Sequence, residues 1–307
     1  MILEILMNSI VLMGILMAIG YYLRDKNILN DDAENSITFI LVNITIPAMV
    51  INALYIDFSV EQFKTGINLL VLAVIFYGML MVLGNIASVL LKEDEKKRIF
   101  KYSVVLMNCG FMGFPLVNQM FGKEAMFYAA MVQTPNIILM WTYGMGLVMG
   151  KKKNKKHIKD MFFNPGMIGI YVGLFLYFSQ VKLPLFAVNL VNLLTNVTTV
   201  LSMIIIGSKI KTIGIKNSLV NKEAYYTTFF RLMISPILMI IVLKFVNFEP
   251  MIEQIFVIYS ALPVAVLMPI LAQKYKCDDI FASKIVVITH IISLITIPIS
   301  FWLYTII

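Results

Sequence analysis

Apolar residues run along this chain in blocks of about twenty, the length that a helix needs to cross the hydrocarbon of a bilayer. Ten blocks are visible, at roughly 3–23, 36–56, 66–91, 101–121, 125–150, 164–181, 185–208, 224–246, 253–273 and 281–304. No gap between them is long enough for a soluble domain. The pattern predicts an all-α integral membrane fold with ten transmembrane helices. They fall into a first five-helix repeat at 1–150, a basic cytoplasmic loop at 151–163 and a second repeat at 164–307. Five is odd, so the second half enters the membrane from the opposite face. Inverted repeats of this kind are common in secondary transporters, which bind substrate near the midplane between discontinuous helices.

Two blocks break the apolar pattern at their centres. The fourth reads MNCGFMGFPLV at 107–117, with an Asn, two Gly and a Pro where lipid-facing residues would be expected. Pro115 has no amide proton and clashes with the carbonyl four residues back. Gly110 and Gly113 permit unusual backbone angles and close approach. The ninth block carries a counterpart, ALPVAVLMPILAQKY at 261–275, with Pro263 and Pro269. Shifting the chain by 154 residues lays Pro115 on Pro269, Asn136 on His290, and FGKEAMFYAA (121–130) on YKCDDIFASK (275–284). A backbone broken inside hydrocarbon must be satisfied by protein or line a cavity. Two antiparallel breaks at matched positions are therefore expected to cross. The crossing presents helix N-termini, with their free amides and partial positive charge, as a site for anions.

Composition agrees: the 307 residues are 60% hydrophobic and 14% charged, with mean hydropathy +0.88; soluble domains carry roughly 25% charged residues. The start, MILEILMNSIVLMG, lacks a basic n-region and a small-residue cleavage site, so the first block is expected to stay as a helix. The net charge of +8 is not a nucleic-acid signature, because of where it lies. Of the 25 Lys and Arg residues, 20 fall in the odd-numbered gaps, 4 in the even-numbered gaps, and Arg231 lies within a block. By the positive-inside rule the odd gaps are cytoplasmic and both termini are outside. The run KKKNKKHIK (151–159) follows from that rule, with a lipid-headgroup or partner site as the alternative. Two cysteines, Cys109 and Cys277, make no disulfide framework or metal set.

At the two breaks the chain resembles the auxin efflux carrier family, which includes plant auxin exporters and bacterial organic-acid permeases. NCGFMGFPL (108–116) is similar to the family's Asn-x-x-x-x-Gly-x-Pro-Leu, and SALPVAVLMPILAQKY (260–275) to its Ala-Leu-Pro…Pro…Ala-x-x-Tyr. NITIPAMVINAL (43–54), NPG (164–166) and IGSKI (206–210) are weaker matches, and the resemblance spans the whole chain. It implies that spans 1, 2, 6 and 7 form a scaffold, that spans 3–5 and 8–10 form a moving transport domain of the elevator type, and that a homodimer forms through the scaffold. It also implies that the substrate asparagines are Asn108 and Asn164 and the crossing prolines Pro115 and Pro269. The loop after the fifth span is short, whereas many plant members carry a long regulatory loop there. Plant-type regulation and auxin itself as substrate are therefore not implied.

The remaining polar residues each have two readings. Asn108 caps a half-helix or contacts substrate. Asn43, Gln133 and Asn136 make interhelical hydrogen bonds or bind ligand; Gln133 and Asn136, three apart, share a helix face. Asn164, before Pro165, starts a helix or touches substrate. His290 makes a structural hydrogen bond or couples a proton. Arg231 snorkels to the cytoplasmic face or binds a second carboxylate. All 17 acidic residues lie in gaps or at block ends. A cation-coupled carrier often keeps a buried carboxylate, so this distribution favours an anionic substrate. The expectation is a plasma-membrane permease for small carboxylates such as malate, malonate or auxin-like acids, needing no cofactor or metal. The rivals are a sodium-coupled symporter of the bile acid class and a membrane anion sensor that does not transport. An intramembrane enzyme is disfavoured, since no HExxH, mid-membrane Asp pair or Ser/His constellation is present.

Overall fold

The computed structural model describes residues 2–150, 163–215, 218 and 221–307. The KKKNKKHIK run lies outside the described residues. Among those described the fold is all-α, with a single isolated bridge and no strand. The helices are α1 (Ile2–Asp25), α2 (Asp31–Leu54), α3 (Val60–Leu90), α4 (Asp94–Val105), α5 (Phe114–Phe121), α6 (126–149), α7 (Pro165–Ser179), α8 (Leu185–Ile213), α9 (Lys222–Leu243), α10 (Pro250–Ala261), α11 (Met268–Tyr275) and α12 (Asp279–Ile306). Six of these, α1, α2, α3, α8, α9 and α12, are long and apolar enough to cross a membrane. Helix α7 is apolar but shorter. Helix α6 carries Gln133, Thr134, Pro135 and Asn136 in its interior. The pairs α4–α5 and α10–α11 are each one apolar block cut by an extended segment.

Local chemistry sets the helix starts. The side chains of Asn30, Ser59, Asn164, Asn221 and Asp278 each accept a backbone N–H three residues on, satisfying donors that a helix start leaves open.

Four helices widen into single π-helical turns, at Leu41–Thr45, Cys109–Gly113, Met140–Gly144 and Phe230–Ile234. Three of the four end two residues before a proline, Pro47, Pro115 or Pro236. Proline cannot donate to the carbonyl four residues back. That loss frees the preceding turn to widen.

The elements pack in two groups. Helix α1 lies along α8, and α2 packs on α7 and α8. The second group has α3 against α4 and α6, and α12 against α9, α10 and α11. Small residues set the spacing in the first group. A Cβ on Gly207 would come 1.9 Å from the carbonyl oxygen of Met17, and one on Gly20 would come 2.0 Å from that of Ile204. Such close backbone approach is how membrane helices gain dispersion contact where lipid removes the hydrophobic drive between helices. Ion pairs finish one end of this group. Glu34, buried in the first turn of α2, accepts from Ser208 and pairs with Lys209; Asp25 pairs with Lys211 at 2.5 Å.

This contact makes a prediction. Gly207→Ala should lower the thermal midpoint of the detergent-solubilised protein by several degrees, because overpacking costs about 1–3 kcal/mol. Gly78→Ala, where a Cβ meets nothing within 4 Å, should leave the midpoint unchanged or raise it slightly. Equal midpoints for the two variants would remove the close-contact role of Gly207.

Candidate functional site

The two broken blocks cross at their breaks. Met107 and Val264 form an antiparallel bridge, with Asn108 N–H donating to Pro263 O at 2.9 Å and Ala265 N–H donating to Leu106 O at 3.3 Å. Two helices end at this point, α4 at Val105 and α10 at Ala261. Each leaves carbonyls without an intrahelical donor, and each carries the partial negative charge of a helix C-terminus.

Arg231 answers both ends at once. Its side chain is fully buried. It donates to Val104 O at 2.8 Å on one side, and to Ser260 O at 2.7 Å, Leu262 O at 2.9 Å and Tyr259 O at 3.4 Å on the other. A planar guanidinium offers five donors and a permanent positive charge, which suits two converging carbonyl ends. Ser235, one turn further along α9, also donates to Ser260 O at 3.1 Å. Arg231 thus neither snorkels nor faces the cavity, and both sequence readings of it are corrected. The π turn Phe230–Ile234 carries it inward.

Asn136 performs the matching task for the extended residue. Its Nδ2 donates to Met107 O at 3.2 Å, and its Oδ1 accepts Met107 N–H at 3.3 Å. The amide side chain takes the place of a neighbouring strand. Thr289 accepts Val264 N–H at 3.4 Å.

A cavity of ≈ 70 Å³ lies against this crossing. One wall comes from the breaks, at 107–111 and 265–267; another comes from Gln133, Asn136, Ile137, Met140 and Trp141 of α6. The opposite wall is Val42 and Ile46 of α2 with Asn164, Pro165 and Gly166 at the start of α7. Three of the four π turns contribute to this lining or abut it, as π turns often do at functional sites. The amides of Gly110, Phe111, Val266 and Leu267 have no hydrogen-bond acceptor among the described residues, and all four residues line the cavity. The Oε1 of Gln133 is buried without a hydrogen-bond partner among the described residues. Asn164 lines the cavity while its Oδ1 accepts Met167 N–H at 2.9 Å.

Of the residues expected at the site, Asn108, Gly110, Gln133, Asn136 and Asn164 line the cavity. His290 is fully buried behind Asn108, its Nε2 3.0 Å from Asn108 Nδ2. Asn43 does not belong: it is exposed and donates to Phe39 O of its own helix at 2.8 Å. Gly113 packs instead of binding, since a Cβ there would meet Leu262 at 2.7 Å. Pro115 and Pro269 are buried in the first turns of α5 and α11, and Pro263 contributes only its carbonyl to the bridge. Sequence reasoning did not find the apolar wall of Val42, Ile46, Met140 and Trp141.

A family model described as "Membrane transport protein" matches residues 5–302. The chain belongs to that family, the auxin efflux carriers. It is similar to an uncharacterized transporter of Methanocaldococcus jannaschii, 24% identical over 306 residues, covering 97% of this chain and 98% of that one. A second such transporter, of Methanothermobacter thermautotrophicus, is 23% identical over 295 residues, covering 92% of this chain and 93% of the relative. The protein is a multi-pass membrane transporter and not an enzyme.

Two substitutions test the crossing of this carrier. Asn136→Leu leaves the amide of Met107 buried without its acceptor, at about 1–3 kcal/mol, while Met107 O keeps the Cys109 N–H at 2.9 Å, and should lower the thermal midpoint. Arg231→Met strands carbonyls on two helix ends, and monodisperse protein should be lost in fluorescence-detected size exclusion, with Arg231→Lys retaining part of it. A well-folded Arg231→Met protein would show that the guanidinium does not hold the crossing.

Proposed function

We propose that this carrier is a ten-span permease for small organic anions, with the substrate carboxylate held at the crossing. The observation that carries this reading is the set of open amides at Gly110, Phe111, Val266 and Leu267 around one cavity. Amides at the starts of two half-helices bring partial positive charge to one point. Among the described residues, no acidic side chain lines that cavity. The buried, unpartnered Oε1 of Gln133 supports a ligand that also carries a donor, such as a hydroxyl or a protonated carboxyl.

An inverted repeat fits the element register. Helices α5 and α11 have the same length, and their starts differ by the same shift as their ends, 268 − 114 = 154 and 275 − 121 = 154. The starts of α2 and α8 share that shift, 185 − 31 = 154. The two packing groups fit an elevator in which α3–α6 and α9–α12 slide on α1, α2, α7 and α8. The distribution of Lys and Arg supports a plasma-membrane carrier with both termini outside, and the exposed apolar faces of α1, α7 and α8 fit lipid together with a homodimer contact. The cavity's small volume fits a contracted state that widens when the groups move.

The test is transport by purified protein in liposomes. Saturable current on a solid-supported membrane, or radiolabelled counterflow, is expected with a subset of mono- and dicarboxylates and without a sodium requirement. Gln133→Leu should fold as well as the parent, since it removes an unpartnered polar atom, yet lower flux about tenfold or more. Silence with every carboxylate in both assays would sink the organic-anion reading. A strict sodium requirement would favour the bile-acid-type alternative.

A further inference from the structure

We propose that His290 and Asn108 form a proton-operated switch in which protonation of the imidazole turns the Asn108 amide and converts the cavity from repelling a carboxylate to binding it. This deepens the proposed function and rests on it for the identity of the ligand. The hydrogen bonds of the imidazole fix its tautomer. His290 Nδ1 lies 2.8 Å from Val286 O. A carbonyl only accepts, so Nδ1 carries the proton. In the neutral ring Nε2 is then an acceptor, and it faces Asn108 Nδ2, a donor, at 3.0 Å. Each assignment fixes the other. With one N–H of its amide held by the ring, Asn108, which lines the cavity, has Oδ1 as its acceptor on the proposed cavity side. An amide oxygen facing the cavity repels a carboxylate.

Add one proton at Nε2. Both ring nitrogens are now donors, and the Asn108 NH2 meets a donor. Turning the amide by half a revolution relieves this: Oδ1 accepts from Nε2–H, and the NH2 faces the cavity beside the open amides of Gly110 and Phe111. The proton comes from water by way of the cavity, and no bond other than N–H forms or breaks. Anion and proton then favour each other by the same factor. A monoanion moving with one proton carries no net charge; a dianion moving with one proton carries one negative charge.

Other charges do not do this work. Among the described residues, the buried titratable or charged groups on or beside elements packed against α12 are Arg231 of α9, Tyr259 of α10, Tyr102 of α4, Cys109 at the crossing and Cys277 just ahead of α12. Arg231 is committed to carbonyls. The carboxylates on those elements, Glu4, Asp25, Asp94, Glu95, Glu223 and Glu253, all lie in first or last turns, as does Asp279 of α12 itself. Lys274 and Tyr275 end α11, Lys209 and Lys211 end α8, and Lys96 lies over the Phe281 ring at the start of α12. Lys97, Arg98 and Lys101 of α4 line a separate surface pocket with Lys276.

The chain has two histidines, His157 in the basic loop and His290, so His157→Ala protein labelled with 15N-histidine reports His290 alone. The expected spectrum of the neutral ring shows a non-protonated Nε2 and a protonated Nδ1; the opposite tautomer overturns the proposal. Malonate and acetate affinities are then measured between pH 6 and 8. The expectation is tighter binding as pH falls, by up to tenfold per unit, with that dependence absent in His290→Gln. Comparing the two proteins at each pH cancels the titration of the acid itself. An unchanged slope in His290→Gln overturns the switch. If neither acid binds, the organic-anion reading fails, and the Asn108 side-chain 15N resonance decides the switch: a shift on acidification that vanishes in His290→Gln supports it, and no shift overturns it. If His290→Gln does not fold, the tautomer and the wild-type Asn108 titration decide it in the same way.

Discussion

The structure depends on one constraint: a backbone interrupted inside hydrocarbon has no water to complete its hydrogen bonds. Both broken blocks stop with carbonyls pointing into the interior. Without compensation each would cost several kcal/mol, and two like partial charges would face one another. Arg231 bridges Val104 of one helix and Ser260 of the other, so one side chain both completes and neutralises two ends. Asn136 does the same for the peptide unit between them. The interruption is tolerable because these two side chains are in place, and everything the site does follows from the interruption.

The asymmetry of the crossing matters for function. The carbonyl ends are closed by protein, whereas amides at the other ends stay open toward the cavity. On the proposed reading, the anion meets dipoles and no formal charge among the described wall residues. That is a moderate attraction, and it suits a carrier that must release its substrate. A lysine or arginine at the same place would hold a carboxylate more tightly and would remain unpaired in low dielectric when the site is empty. Placing Arg231, the one fully buried cation among the described residues, at the carbonyl side keeps its charge compensated whether or not substrate is present.

Much of this was legible in the chain. Apolar block length pointed to an all-α membrane fold, of which six helices among the described residues are long enough to span, and the crossing followed from two proline- and glycine-bearing centres at a shared shift. Asn108, Gly110, Gln133, Asn136 and Asn164 line the cavity because polar residues in such blocks have few other places to go. Asn43 misled because residue type says nothing of direction. The turn that Pro47 widens leaves Asn43 on the outer surface, where it bonds back to Phe39. Arg231 misled because its partners are carbonyls, which the sequence does not display. The π turns carried a signal in Xaa-Pro pairs inside apolar helices, at Ile46-Pro47, Phe114-Pro115 and Ser235-Pro236. The apolar wall had none, since Val42 or Trp141 looks the same facing lipid or ligand.

That wall explains why the cavity need not be rigid. Its polar atoms belong mainly to one group of helices, the crossing and α6, while α2 contributes Val42 and Ile46 and α7 contributes a capped start. The Asn164 side chain accepts Met167 N–H of its own helix. Contact between the groups at Val42 and Ile46 is dispersion, which changes little as surfaces slide. Hydrogen-bond networks stiffen each group: Arg231, Asn136 and the Asn108–His290 pair on one side, Glu34 with Ser208 and Lys209 on the other. Stiff networks inside each group and an apolar wall between them at the cavity are the mechanical conditions that the proposed sliding motion requires.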